Sequence, residues 1–130
     1  MEINVPVGMT YTIERTVDEA ACTGHLGGGG KGFVYATPIM VGWMEEASYT
    51  AIRPALPEGY DSVGTNLHIF HNAPTPLGMK VKVVSEVIES KGKLLNFKVE
   101  AFDERGKIAE GTHGRAIVEV DKFLEMVNNK

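Results

Sequence analysis

The sequence has 130 residues, 43% of them hydrophobic, with 13 basic and 17 acidic side chains and a net charge of −4. This length suits a single domain, residues 1–130, and the lack of a basic block argues against nucleic acid as a partner. No apolar stretch approaches the ~18 residues of a membrane span. The single cysteine, Cys22, excludes an internal disulfide and, with no signal-peptide pattern at the start, favours a cytoplasmic location.

Two segments precede the longest apolar run. Residues 11–17 alternate and contain β-branched side chains such as Thr12 and Thr16, so they predict a first strand. Residues 18–31 include four consecutive glycines, which predict a loop because glycine restricts the backbone least. The glycines match a G-x-G-x-x-G pattern, but no strand feeds them and no helix follows. We therefore do not expect a phosphate-binding site here.

The run TPIMVGWMEEASYTAI, residues 37–52, predicts the central helix. Thr37 can cap an orphan amide, and the proline after it suits the first helical turn. Most of the helix circumference is apolar, so the fold should enclose this helix on most sides. Glu46 falls on the polar strip beside Arg53, whereas Glu45 falls at the edge of the apolar arc. We therefore interpret Glu46 as a solvated charge and Glu45 as a candidate functional acid.

Four strand-like runs follow the helix, separated by short turns. They are residues 63–72, 79–88, 94–102 and 107–120. Connections this short imply antiparallel neighbours, and the tail after them can form a short helix. An apolar helix followed by such a meander predicts an α+β fold of the hotdog type, in which an antiparallel sheet wraps around one long central helix.

Alternation in the first of these runs places His71 at the end of its more apolar face. The residues predicted to share that face are Val63, Thr65, Leu67, Ile69 and His71. A lone histidine there is either a satisfied core residue or a functional one. His68 falls on the opposite face, where we expect a structural or solvent-exposed side chain.

The last run places His113 and Arg115 on one face together with Ile117. An arginine in this position can be a surface charge, an ion-pair partner of Glu110 or Glu119, or a phosphate contact. The residues alone favour the first two interpretations.

Four motifs occur in order between residues 36 and 123. They are Thr37-x-x-Met40-Val41-Gly42-x-Met44-Glu45, Gly64-Thr65 followed by His71, Thr75-Pro76-x-Gly78, and Gly111-Thr-His-x-Arg115-Ala116. In this order and spacing they resemble the fluoroacetyl-CoA thioesterase family of hotdog proteins. The resemblance implies a homodimer, or a tetramer, that hydrolyses an acyl-CoA thioester without a metal or an organic cofactor.

The resemblance also implies which residues form the site. Thr37, Glu45 and His71 would be catalytic, and Gly64 and Arg115 would surround the acyl group. Thr37 and Glu45 are eight residues apart on one helix, about 12 Å at 1.5 Å per residue. They cannot easily reach one reacting atom within a single chain, so we expect a site assembled across a two-fold interface.

The sequence departs from the family at residues 26–33, which read LGGGGKGF. Fluoroacetyl-selective members carry an aromatic-rich lid in this place, and a run of glycines cannot supply the same apolar enclosure. We therefore predict hydrolysis of a small acyl-CoA without predicting fluoroacetyl selectivity. Two alternatives are a non-catalytic acyl-CoA-binding hotdog module and a hotdog enoyl-thioester hydratase.

Overall fold

The computed structural model describes residues 3–26 and 33–130. Its strands are β1 (Thr10–Thr16), β2 (Tyr60–His71), β3 (Lys80–Lys91), β4 (Leu94–Asp103) and β5 (Gly106–Glu119), and its helices are α1 (Thr37–Ile52) and α2 (Val120–Asn128). Short 3-10 turns occupy Glu19–Ala21, Thr23–Leu26 and Arg53–Ala55. Of the predicted loop, residues 18–31, the part from residue 27 onward, which includes all four consecutive glycines, lies outside the described residues.

The predicted elements are confirmed, with differences at their ends. The central helix has the predicted bounds. Strand β2 begins at Tyr60 rather than at residue 63, because its first residues pair with the end of β5. Strand β3 continues to Lys91, which pairs with Leu94 across a tight two-residue turn. Within the described part of the chain, neither helix has the length and apolarity needed to cross a bilayer.

The five strands form one antiparallel sheet in the order β1-β3-β4-β5-β2. Helix α1 packs against β1, β2, β3 and β4, so the sheet wraps around the helix as the sequence predicts. Strands β1 and β2 are the two edges of the sheet. Strand β2 contacts the helix on its inner face, and one of its edges pairs with no strand among the described residues.

The core lies between α1 and the inner face of the sheet. Its fully buried helix residues include Met40, Met44 and Ile52, and each such side chain contributes roughly 1.5–3 kcal/mol by leaving water. A polar contact joins the helix to the sheet within this layer. The hydroxyls of Ser48 in α1 and Ser85 in β3 lie 2.7 Å apart. Both hydroxyls are buried, and their mutual hydrogen bond avoids the free-energy cost of an unpaired polar group.

Gly111 in β5 lies where a side chain would collide with the backbone of β2. A Cβ atom on Gly111 would overlap the carbonyl of His68 and lie 2.9 Å from Cα of Ile69. A Cβ atom on the nearby Gly114 would instead meet side-chain atoms of Thr65 and Asn66, which are both exposed and can move aside. The β2–β5 pair therefore depends on glycine at the first position more than at the second.

We expect Gly111→Ala to lower the free energy of unfolding by about 3 kcal/mol or more, since strand backbones must separate. The matched change Gly114→Ala should cost less than about 1.5 kcal/mol, because exposed side chains shift and the strand backbone does not. Urea unfolding of the two variants measures the difference. Equal losses would contradict the assigned β2–β5 packing.

Candidate active site

Thr37 contacts His71 at the start of α1. The Oγ1 atom of Thr37 lies 2.8 Å from Nδ1 of His71. The N-cap residue is Ala36, and no side chain caps the helix, so the prediction that Thr37 caps α1 is wrong. Thr37 is already helical, and its hydroxyl bonds the imidazole at the end of β2 instead. A hydroxyl paired with an imidazole is the arrangement that activates an oxygen nucleophile or orients a proton donor.

Hydrogen bonds fix the chain that leads into α1. The N–H of Tyr35 donates to the carbonyl of Thr75 over 2.8 Å. Thr75 is fully buried, and its hydroxyl donates to a carboxylate oxygen of Asp103 over 2.8 Å. Since the loop that carries Thr75 directly follows β2, these bonds tie the start of the helix to the end of that strand. They explain why Thr37 and His71 meet.

His71 lies on the inner face of the sheet, as its position in the strand predicts. Its ring meets the edge of the Tyr35 ring, with centroids 6.3 Å apart and planes at 78°. Burial lowers the pKa of His71, and a backbone contact with Ala73 offsets part of that shift, so the imidazole is neutral at pH 7. Its Nε2 atom is buried and has no hydrogen-bond partner among the described residues.

The Thr37–His71 pair borders a cavity of about 240 Å³. Tyr35, Asn72 and Pro74 line the same cavity. A larger open groove of about 670 Å³ lies at the β4–β5 turn, but none of the predicted site residues line it. We therefore place the candidate site at the smaller cavity.

Glu45 forms a second cluster with residues of β2 and β5. Its Oε1 atom lies 3.8 Å from Nη1 of Arg115 and 4.0 Å from Nε2 of His113. Its side chain is 39% exposed, so the carboxylate lies at the border between the core and solvent, as the helix pattern predicts. A Cβ atom on Gly64 would lie only 2.8 Å from Oε1, which means that glycine makes room for the carboxylate.

Arg115 is buried, contrary to the interpretation as a surface charge or a partner of Glu110 or Glu119. Its Nε donates to the hydroxyl of Ser62 and its Nη2 to the carbonyl of the same residue, both over 2.8 Å. The guanidinium also lies over the ring of Tyr49, 5.6 Å from the centroid. Burial lowers the pKa of Arg115, and Glu45 offsets part of the shift. The sequence could not reveal Ser62 as the partner, because the two residues are distant along the chain.

A β-bulge in β2 changes which of its residues face the helix. The pairing with β5 shifts between Gly64 and Asn66, so that one residue, Thr65, is extra. Leu67 and His71 remain on the inner face as predicted, but the prediction that Thr65 shares that face is wrong, and so is the same prediction for Val63. Instead Gly64 faces inward, opposite Arg115. The bulge therefore brings both predicted acyl-contact residues, Gly64 and Arg115, next to Glu45.

Glu46 does not pair with Arg53 as the helix wheel suggests. It accepts two hydrogen bonds from Arg15 in β1, at 2.9 and 2.5 Å, and Arg53 lies near Asp61 instead, at 3.5 Å. Arg15 and Glu46 are both partly exposed, so this ion pair is worth under about 1 kcal/mol. The two adjacent glutamates thus have different surroundings, and only Glu45 lies beside a buried cation.

The five predicted site residues form two groups within the chain. Thr37 and His71 make the first, whereas Gly64 and Arg115 surround Glu45 in the second. The two groups are attached to α1 eight residues apart, about 12 Å along the helix axis. One chain therefore does not bring all five side chains to a single point.

Comparison with known proteins identifies the family. A family described as fluoroacetyl-CoA-specific thioesterase (FlK) matches residues 16–121. The fluoroacetyl-CoA thioesterase of Streptantibioticus cattleyicolor is 40% identical over 97 residues, which are 75% of this chain and 70% of that protein.

Solved structures agree with the sequence comparison. A variant of the fluoroacetyl-CoA thioesterase FlK, in complex with acetyl-CoA, superposes with a TM-score of 0.88 at 33% identity, covering 95% of this chain and 97% of the other. A Thermus thermophilus member of the thioesterase superfamily gives a TM-score of 0.89 at 29% identity, covering 97% of this chain and 93% of the other. The predicted hotdog fold is confirmed, and the chain belongs to the fluoroacetyl-CoA-specific thioesterase family.

Proposed function

We propose that this thioesterase hydrolyses a small acyl-CoA to the free acid and CoA. In this proposal Thr37, Glu45 and His71 are catalytic, while Gly64 and Arg115 surround the acyl group. The observation that carries the proposal is the 2.8 Å contact between Thr37 Oγ1 and His71 Nδ1. It pairs a hydroxyl with a neutral imidazole at the border of a cavity, at the N-terminus of a helix whose dipole favours developing negative charge.

Thioester hydrolysis needs an attacking oxygen, a group that takes its proton, and donors for the oxyanion. In one route Glu45 takes a proton from water while the water oxygen attacks the carbonyl carbon, and the C–S bond then breaks as the sulfur of CoA receives a proton. In a second route the Glu45 carboxylate attacks the carbonyl carbon, the C–S bond breaks, and CoA leaves as its sulfur takes up a proton. Water then cleaves the resulting anhydride between Glu45 and the acyl group. A mass increase of one acyl group on the peptide that contains Glu45 distinguishes the second route.

Two features support a small acyl group. The space beside Gly64 is already filled by the Glu45 carboxylate, 2.8 Å from where a Cβ would lie. Acetyl-CoA is also the ligand in the complex of the related FlK variant. The proposal does not extend to a fluoroacetyl preference, because residues 26–33 contain a single aromatic side chain, Phe33, where the family's lid is aromatic-rich.

We further infer a homodimer joined through β2. This strand is an edge of the sheet and exposes two large apolar side chains, Leu67 at 40% and Phe70 at 66%. Such an edge is a template for pairing with a second strand, and a two-fold dimer would use the same surface on both chains.

The predicted two-fold pairing would also complete the site. Antiparallel pairing of two β2 strands, centred on His68 and with Thr65 as the extra residue, would set His71 of one protomer opposite the partner's Gly64. The Thr37–His71 pair of one chain would then approach the Glu45 of the other. This arrangement would resolve the separation of about 12 Å that divides the two groups within one chain.

We also propose that residues 1–130 act as one domain in the cytoplasm. The buried hydrophobic residues form one cluster that runs from Val5 to Ile117, which is the organisation expected of a single domain. Cys22 is buried and free, as is usual for proteins of reducing compartments.

The adjacent glutamates provide a matched test of the catalytic proposal. Glu45→Gln should keep the fold but lower CoA release by about 10²-fold or more, because it removes an acid–base or nucleophilic group. Glu46→Gln should stay within about threefold of wild type, since it removes only an exposed ion pair. CoA release and melting temperature are measured for both variants. Equal activity would remove Glu45 from the mechanism.

Mixing two inactive variants tests whether the site is shared between chains. Glu45→Gln and His71→Ala each disable both sites of a homodimer. A heterodimer of the two would contain one site with both residues intact, so random mixing should restore about a quarter of wild-type CoA release. Activity that stays at the level of the separate variants, in a mixture shown by mass spectrometry to contain heterodimers, would place the site within one chain.

The pH dependence tests the role of His71. If neutral Nδ1 accepts the hydrogen bond that orients the Thr37 hydroxyl, protonation of the imidazole removes that acceptor, so kcat/KM falls as the pH drops through the pKa of His71. Burial lowers that pKa, so the midpoint of the fall in kcat/KM should lie below about pH 6.5, the ordinary value for histidine. A midpoint above pH 6.5 that disappears in His71→Gln would contradict a lowered pKa of His71.

A further inference from the structure

His113 is fully buried and connects β5 to both the bulge of β2 and Arg115. Its Nδ1 atom lies 2.9 Å from the carbonyl oxygen of Asn66, and its Nε2 atom lies 3.1 Å from Nη1 of Arg115. A carbonyl only accepts and a guanidinium only donates. Nδ1 must therefore carry the proton, and the lone pair of Nε2 must face Arg115.

A neutral imidazole is consistent with these surroundings. Burial lowers the pKa of His113, the carbonyl of Asn66 offsets part of the shift, and the adjacent Arg115 cation lowers it further. Protonation of Nε2 would place two cations 3.1 Å apart. The tautomer is thus determined by one partner on each side of the ring.

The hydrogen bonds of Arg115 show that the His113 imidazole helps to hold the guanidinium in place. Ser62 accepts from Nε and from Nη2, and His113 accepts one N–H of Nη1. The second N–H of Nη1 is the one left for Glu45, whose Oε1 atom lies 3.8 Å away. With both ends of the guanidinium held, the cation cannot rotate away from the carboxylate.

We propose that His113 is a positioning residue for the thioesterase reaction: by accepting a hydrogen bond from Nη1, it holds Arg115 in place beside Glu45. His113 is fully buried and acts through Arg115 rather than on the substrate. The inference rests on the proposed role of Glu45, and it adds a requirement for an acceptor at the Nε2 position. A histidine that merely filled the core would impose no such requirement.

Two amide variants separate the acceptor from the donor. In His113→Gln the side-chain oxygen can occupy the Nε2 position and accept from Arg115, whereas in His113→Asn the amide nitrogen can occupy the Nδ1 position and donate to the carbonyl of Asn66. Each variant keeps one of the two hydrogen bonds. Thr112→Asn, an exposed position next to His113 on β5, is the control.

We expect His113→Gln to keep kcat within about threefold of wild type. His113→Asn should lower kcat about tenfold or more and change KM less than threefold, because misplacing a catalytic group mainly affects turnover. Melting temperatures of the variants are measured in parallel. Similar kcat values for the Gln and Asn variants, or a loss in Gln larger than in Asn, would overturn the proposal, since the acceptor would then not matter.

Nitrogen-15 NMR of the wild-type protein tests the same proposal without any substitution. The expected signature at pH 7 is a protonated Nδ1 and an unprotonated, hydrogen-bonded Nε2 on His113. A protonated Nε2 would overturn the proposal even if both variants failed to fold. A wild-type protein that releases no CoA from acyl-CoAs would refute the proposed function instead, and the NMR result would still decide how His113 holds Arg115.

Discussion

Burial of α1 in the curve of the sheet is the constraint on which both parts of the site depend. Thr37 and Glu45 belong to this helix, and their partners lie on strands whose inner faces the helix covers. The apolar contacts of Met40 and Met44 with the sheet therefore set the position of two polar groups that are not themselves in the core. Because close-packed interiors deform little, the separation of these groups along the helix is fixed. Groups that complete the site must therefore be brought to Thr37 and Glu45, which favours a second chain as their source.

A buried cation imposes a second constraint. Taking a guanidinium out of water costs several kcal/mol unless its N–H groups find acceptors, and Arg115 finds them on Ser62 and His113. Exposed charges such as Arg15 face no such requirement, and their ion pairs can change partners at little cost. The buried guanidinium of Arg115 needs hydrogen-bond acceptors, and this need determines which polar groups surround it. Glu45 adds a negative charge near this cluster, with its Oε1 atom 3.8 Å from Nη1 of Arg115.

The periodicity of the sequence predicted the elements of the fold, because the helix and the strands bury large apolar faces. The helical pattern also distinguished Glu45 from Glu46, because adjacent residues lie 100° apart around a helix. Three details could not be predicted this way. The Thr37 hydroxyl bonds an imidazole of β2 instead of the helix end, and Arg115 bonds an acceptor more than fifty residues away. Gly64 is a signal for a bulge in β2, but the alternation of side chains does not show that Thr65 is the extra residue. Each depends on contacts between strands that sequence patterns do not encode.

The extra residue in β2 changes which positions along the strand share a face. In a regular strand, side chains on one face are separated by an even number of positions. Gly64 and His71 are seven positions apart, an odd number, so a regular strand would turn one of them away from the helix. One extra residue corrects this. Any homologue that keeps both residues inward at a different spacing must change the count of bulges accordingly, so insertions and deletions between them should come in pairs or together with the loss or gain of a bulge.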